Sequence, residues 1–149
     1  MFEAGLSWEI VFGKRDAFQK VFHGFDVAKV TRITSREVSR LVEDASIIRN
    51  RAKIEATLTN ARATMSAAPT LAELAKTYKI DRKCPPRSLA EIPVSTSEAE
   101  SFAKQLKSQG YRFVGPTSVY AFMQNIGAVN DHIHGCFRAV DHHAPAARH

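Results

Sequence analysis

Two cysteines, Cys84 and Cys136, are all that 149 residues contain, so a disulfide-stapled scaffold is excluded and reduced thiols are the expectation. No apolar run approaches the roughly 20 residues that cross a bilayer, so a membrane-spanning chain is excluded as well. The start carries Glu3 and lacks both the basic flank and the apolar stretch of a secretion signal. These absences point to a soluble, cytoplasmic chain. Acidic residues are in deficit, 15 against 21 Lys and Arg, giving a formal charge of +6. Such a field favours polyanions without choosing between DNA and RNA. What remains suits one globular domain: 44% hydrophobic and 24% charged residues, no internal repeat, and a length at which folding removes roughly 68–70% of the unfolded surface from water.

Helical spacing dominates. Ser7 is placed to cap a helix whose apolar stripe runs through Trp8, Val11, Phe12, Phe18 and Phe22, and Gly24 and Asp26 break it. Thr34-Ser35-Arg36-Glu37 has the spacing of a capping box, followed by inward-facing Val38, Leu41 and Val42. Ile54, Leu58, Ala61 and Met65 then predict a longer helix that Pro69 closes, and Leu71, Leu74 and Ala75 a short one. Cys84-Pro85-Pro86 cannot continue a helix, so residues 79–96 read as loop. Ser97-Glu98-Ala99-Glu100 reads as a second capping box, with Ala99, Phe102, Ala103 and Leu106 as the stripe and Gly110 as the stop. Tyr111-Arg112-Phe113-Val114 alternates like a strand, but nothing pairs with it and Gly115-Pro116 ends it, so an extended connector is expected. Val119, Phe122, Met123 and Ile126 restore helical spacing. The expected fold is all-α, with a domain over 1–138 and a tail over 139–149 that has little to bury.

The segment 41–54 places two helices across a tight hairpin. Backbone N–H groups around Ile47 and the following helix N-terminus can face a phosphate there, while Arg49, Arg51 and Lys53 add sequence-independent attraction. The competing reading is a helix corner with a solvated basic face. Residue pattern alone leaves both open.

Several blocks, in order, carry a resemblance: Gly5-Leu6-Ser7-Trp8, the 44–54 hairpin, Phe113-Val114-Gly115-Pro116-Thr117, Phe122-Met123-Gln124 and Val129-Asn130-Asp131-His132. Together they resemble the DNA-3-methyladenine glycosylase I family over about residues 4–138, with 67–83 poorly matched. The resemblance implies a helix-hairpin-helix glycosylase fold. It also implies excision of 3-methyladenine from alkylated double-stranded DNA by hydrolysis of the N-glycosidic bond, after the nucleotide is flipped into a pocket. A monomer is expected. The family lacks the catalytic aspartate usual in helix-hairpin-helix glycosylases, and no nucleophile is assigned; Asp131 is not promoted to that role.

By the same resemblance Trp8 is the pocket tryptophan, whose indole face would stack on the cationic base. The competing reading of Trp8 is a core residue opening an amphipathic helix. Tyr120 and Gln124 would border the base pocket or, equally, pack the helix that carries them. His132 and Cys136 match two of four zinc ligands. The family carries the other two upstream of its Gly-Leu-Ser-Trp block, with aromatic pocket residues and an acidic residue that reads the base. Here that block stands at 5–8, so these positions are not carried over, and Glu3 lies too close to Gly5 to match the acid. An incomplete zinc site follows as an expectation. The alternative function is a catalytically impaired fragment that serves only as a DNA-binding module. Ser46 stands where the hairpin normally has glycine, which predicts weaker phosphate approach or strain at a positive φ.

Overall fold

The computed structural model describes residues 7–139, with the Trp8 side chain left outside the description. Eight α-helices fall in this range: α1 Trp8–Phe12, α2 Arg15–Val21, α3 Val27–Val30, α4 Ser35–Glu43, α5 Arg51–Ser66, α6 Leu71–Thr77, α7 Ser97–Ser108 and α8 Pro116–Asn125. Short 3₁₀ turns occupy His23–Phe25 and Leu89–Glu91. Among the described residues there is no strand, only one isolated parallel bridge between Ile80 and Val129. The all-α expectation therefore holds, and no helix among these residues is long and apolar enough to cross a membrane.

Two apolar clusters make the core, and α5 joins them. One gathers Phe18, Phe22, Val30, Val38 and Ile47 around Ile54 and Leu58; the other gathers Leu74, Phe102, Leu106, Val119 and Met123 near Ala63. Sixteen residues make α5 about 24 Å long, enough for its two ends to serve different clusters. Phe22, Ile54, Phe102 and Met123 are fully enclosed.

Local chemistry explains where the sequence pattern and the structure part. The first expected helix is two, because the chain turns at Gly13 and Lys14; the turn leaves Phe12 exposed, outside the stripe assigned to it. Met65 and Ile126 are also exposed, since each sits at a helix end beyond the cluster. The Thr34 and Glu37 capping box forms as expected. An equivalent box at Thr70 and Glu73 starts α6, a match the hydrophobic spacing did not reveal. The second expected box does not form: Thr96 caps α7 by accepting from the Ala99 N–H, and Ser97 is already helical. Residues 140–149 of the expected tail lie outside the described residues.

Candidate active site and nucleic-acid interface

Asp131 is the centre of a polar network that ties three parts of the chain together. One carboxylate oxygen accepts from the Tyr120 hydroxyl at 2.6 Å and from Gln124 Nε2 at 2.7 Å. The other pairs with Arg82 Nε, and Arg82 Nη2 donates to the Tyr120 hydroxyl at 3.1 Å. Helix periodicity puts Tyr120 and Gln124 on one face of α8, where one carboxylate meets both. The Asp131 side chain is only 6% exposed. A buried carboxylate so engaged by a cation and two donors is not free to act as a base or nucleophile. Burial, and then donation to Asp131, hold the Tyr120 phenol above its ordinary pKa. Burial works against the Arg82 charge, but the Tyr120 hydroxyl and the Asp131 carboxylate outweigh it and raise the guanidinium further.

This arrangement involves both α8 residues named as candidate base contacts. Tyr120 is 2% exposed and spends its hydroxyl inside the network, where it packs α8 against Asp131 and Arg82. Gln124 lines a cleft of about 610 Å³, beside Asn130, Asp131, His132 and Arg138. Arg82 was invisible to motif reading, being 38 residues from Tyr120 and inside an unpatterned loop.

His132 lines the same cleft, and Cys136 lies against His132. Their Nδ1 and Sγ atoms lie 3.6 Å apart. Zinc bonds of roughly 2.0–2.1 Å to nitrogen and 2.3 Å to sulfur at a tetrahedral angle require about this separation, so the pair fits one edge of a zinc tetrahedron. The loop bearing them is closed by Asn130, which accepts from the His132 N–H at 3.1 Å and donates to the Arg138 carbonyl at 2.9 Å. Among the described residues no third His, Cys, Asp or Glu completes a cluster with them.

The 44–50 hairpin joins α4 to α5, but its side chains divide differently from the sequence expectation. Ile47 is 2% exposed and belongs to the core, and Lys53 is 6% exposed, so neither offers its side chain to a phosphate. Arg49 and Arg51 are exposed; Arg51 shares its guanidinium with Glu55 at 3.4 Å. Asn50 caps α5 by accepting from the Lys53 N–H. Ser46 takes no positive φ and brings no strain of that kind, because the Asp44 carboxylate receives its N–H at 2.8 Å. Those hydrogen bonds hold the Asp44 carboxyl below its ordinary pKa, the Ser46 side chain first and its backbone second. From the other side Lys14 Nζ donates to the carbonyls of Ala45 and Ser46 at 2.9 and 3.1 Å. A lysine 31 residues upstream thus fixes the loop, a contact no local pattern could signal.

A second hairpin, over 109–115, links α7 to α8. Gly110 turns it at φ +88, Gly115 begins α8 without a side-chain cap, and Pro116 occupies the first turn. Lys107, Arg112 and Phe113 line a concavity of about 440 Å³ beside it. The connector expected over 111–114 is present as a non-helical stretch between the two helices. The Tyr111–Val114 alternation obscured that two helices meet across it.

A model of the methyladenine glycosylase family matches residues 1–139. The chain is 42% identical over 139 residues to DNA-3-methyladenine glycosylase 1 of Escherichia coli, covering 90% of this chain and 74% of that one. Among solved structures, a 3-methyladenine DNA glycosylase I superposes with a TM-score of 0.86 at 39% identity, over 91% of this chain and 78% of the other. The enzyme of Staphylococcus aureus, whose structure concerns recognition of 3-methyladenine, superposes at 0.83 with 25% identity, over 93% and 77%. The all-helical scaffold is thus that of a 3-methyladenine DNA glycosylase. This chain belongs to the methyladenine glycosylase family.

Proposed function

We infer that this chain is a DNA-3-methyladenine glycosylase, which hydrolyses the N-glycosidic bond of 3-methyladenine in alkylated double-stranded DNA and so opens base excision repair. The observation that carries the reading is 42% identity, over nine-tenths of the chain, to an enzyme of that name. The chemistry suits a site whose Asp131 carboxylate is already engaged. Methylation at N3 leaves the attached adenine positively charged, so the bond to the sugar breaks with the electron pair returning to a neutral base, and water adds at the sugar carbon. Binding and orientation of the flipped nucleotide supply much of such a rate. The engaged state of Asp131 is consistent with this division of labour.

The remaining roles follow from position. Trp8 opens α1 and is assigned to stack on the cationic base. Exposed Arg49 and Arg51 contribute to backbone attraction, joined by Arg112 at the second hairpin. His132 and Cys136 supply two ligands of a structural zinc that would fasten the C-terminal loop. The enzyme works as a cytoplasmic monomer. The deciding experiment incubates the chain with methylated DNA and measures free 3-methyladenine by chromatography, beside a heat-inactivated control. Release establishes the activity; salt-sensitive binding by folded protein without release would instead identify a DNA-binding module.

A further inference from the structure

We infer that Asn60 is a positioning residue for DNA engagement, holding the 109–115 hairpin in the shape that presents Arg112 and Phe113 to a DNA strand; the inference rests on the glycosylase reading above. Asn60 lies on α5, 52 residues from the hairpin. Its side-chain amide accepts the Arg112 N–H at 2.7 Å and donates to the Arg112 carbonyl at 3.1 Å. One planar amide thus satisfies both polar groups of a single backbone residue, as a neighbouring strand would. One helical turn further along α5, Thr64 Oγ1 meets the Tyr111 hydroxyl at 3.1 Å.

The clamp holds a conformation the loop would not keep unaided. Phe113 has φ +55, a left-handed setting that is unfavourable for a residue with a bulky side chain. Gly110 at one end of the loop and Gly115 at the other leave the chain between them free to relax. Fixing Arg112 from both sides denies the adjacent Phe113 that relaxation. The outcome is an aromatic ring, 41% exposed, beside an exposed guanidinium and the Lys107 ammonium. An aromatic face next to two cations is suited to a nucleic-acid strand, since the ring can stack on a base while the cations meet phosphates. The ring also borders an apolar groove lined by Leu106, Val119 and Phe122, yet 41% of the residue stays exposed, which leaves surface for a base to cover.

A double-mutant cycle on binding to methylated duplex DNA tests this, using N60A, F113A and the double variant. Each single change is expected to weaken binding roughly tenfold, with the pair no worse than either alone, because both act through one hairpin. If Asn60 served stability only, folded N60A would bind as the wild type does; that result, or losses that multiply in the double variant, would overturn the inference. Should N60A not fold, the small neutral N60S is read in the same way. Absence of base release and binding in the wild type would bring down the glycosylase reading itself. An active wild type with an additive cycle would bring down only the role of Asn60.

Discussion

The Tyr120 hydroxyl donates to Asp131 at 2.6 Å in a setting where the phenol is buried, so the folded protein holds this tyrosine neutral. Its pKa lies above the ordinary value of 10.0, through burial first and the hydrogen bond to Asp131 second. A raised acid pKa contributes stability that is fully present below the unfolded value and is lost as pH climbs past it, when the unfolded tyrosine ionises and the folded one resists. Thermal melts across about pH 9 to 11 should therefore fall more steeply for the wild type than for Y120F. Parallel curves would show that Tyr120 does not titrate differently on folding.

Breaking the same network from its acidic side has a different signature. D131N removes the charge that Arg82 faces while keeping the size of the side chain. Fully buried pairs lose roughly 3–5 kcal/mol when one partner goes, but the Arg82 side chain is 25% exposed and water can replace part of the interaction. A loss of about 2 kcal/mol is expected, measured by denaturant unfolding.

One capping box and the central part of the apolar stripes are legible in the sequence because their physics is local. Thr34 and Glu37 lie three residues apart, and the spacing alone dictates what each can reach. The stripe of α7 was equally readable, since Ala99, Phe102, Ala103 and Leu106 recur with the helical period. The hydrogen bonds that shape the candidate site are long-range. Lys14 finds the carbonyls of 45 and 46, Asn60 finds Arg112, and Arg82 finds Tyr120, over separations of 31 to 52 residues. Periodicity has no access to such pairs. Lys53 shows the converse error: read as one cation among three in a basic run, it turns inward with the buried face of α5.

The two capping boxes make a prediction at the acid end. Glu37 and Glu73 each receive the backbone N–H and hydroxyl of their N-cap threonine at 2.7 Å, and the backbone bond first, then the hydroxyl, depress both carboxyls below the ordinary value of 4.5. A depressed carboxyl contributes stability that is present above the unfolded pKa and lost as pH falls through the folded one. Wild-type melting temperature should therefore drop faster below about pH 4.5 than that of E37Q/E73Q, whose amides do not titrate. Circular-dichroism melts at several acidic pH values compare the two directly, and equal slopes would remove the capping carboxylates from the acid response.

Arg49 and Lys53 separate an exposed cation from a buried one. Arg49 stands exposed at the 44–50 hairpin, four residues before Lys53, whose 6% exposure removes it from the surface that a phosphate would approach. Each phosphate contact releases condensed counterions and adds about 0.9 to the slope of log affinity against log salt on duplex DNA. R49A should accordingly weaken binding and lower that slope by about 1, uniformly across sequences. K53M should leave the slope unchanged while altering the melting temperature, because its site is the helix interior. Binding isotherms at four or so salt concentrations distinguish the cases. An unchanged slope in R49A would remove the hairpin side chain from the DNA contact, and a lowered slope in K53M would place that ammonium at the phosphate after all.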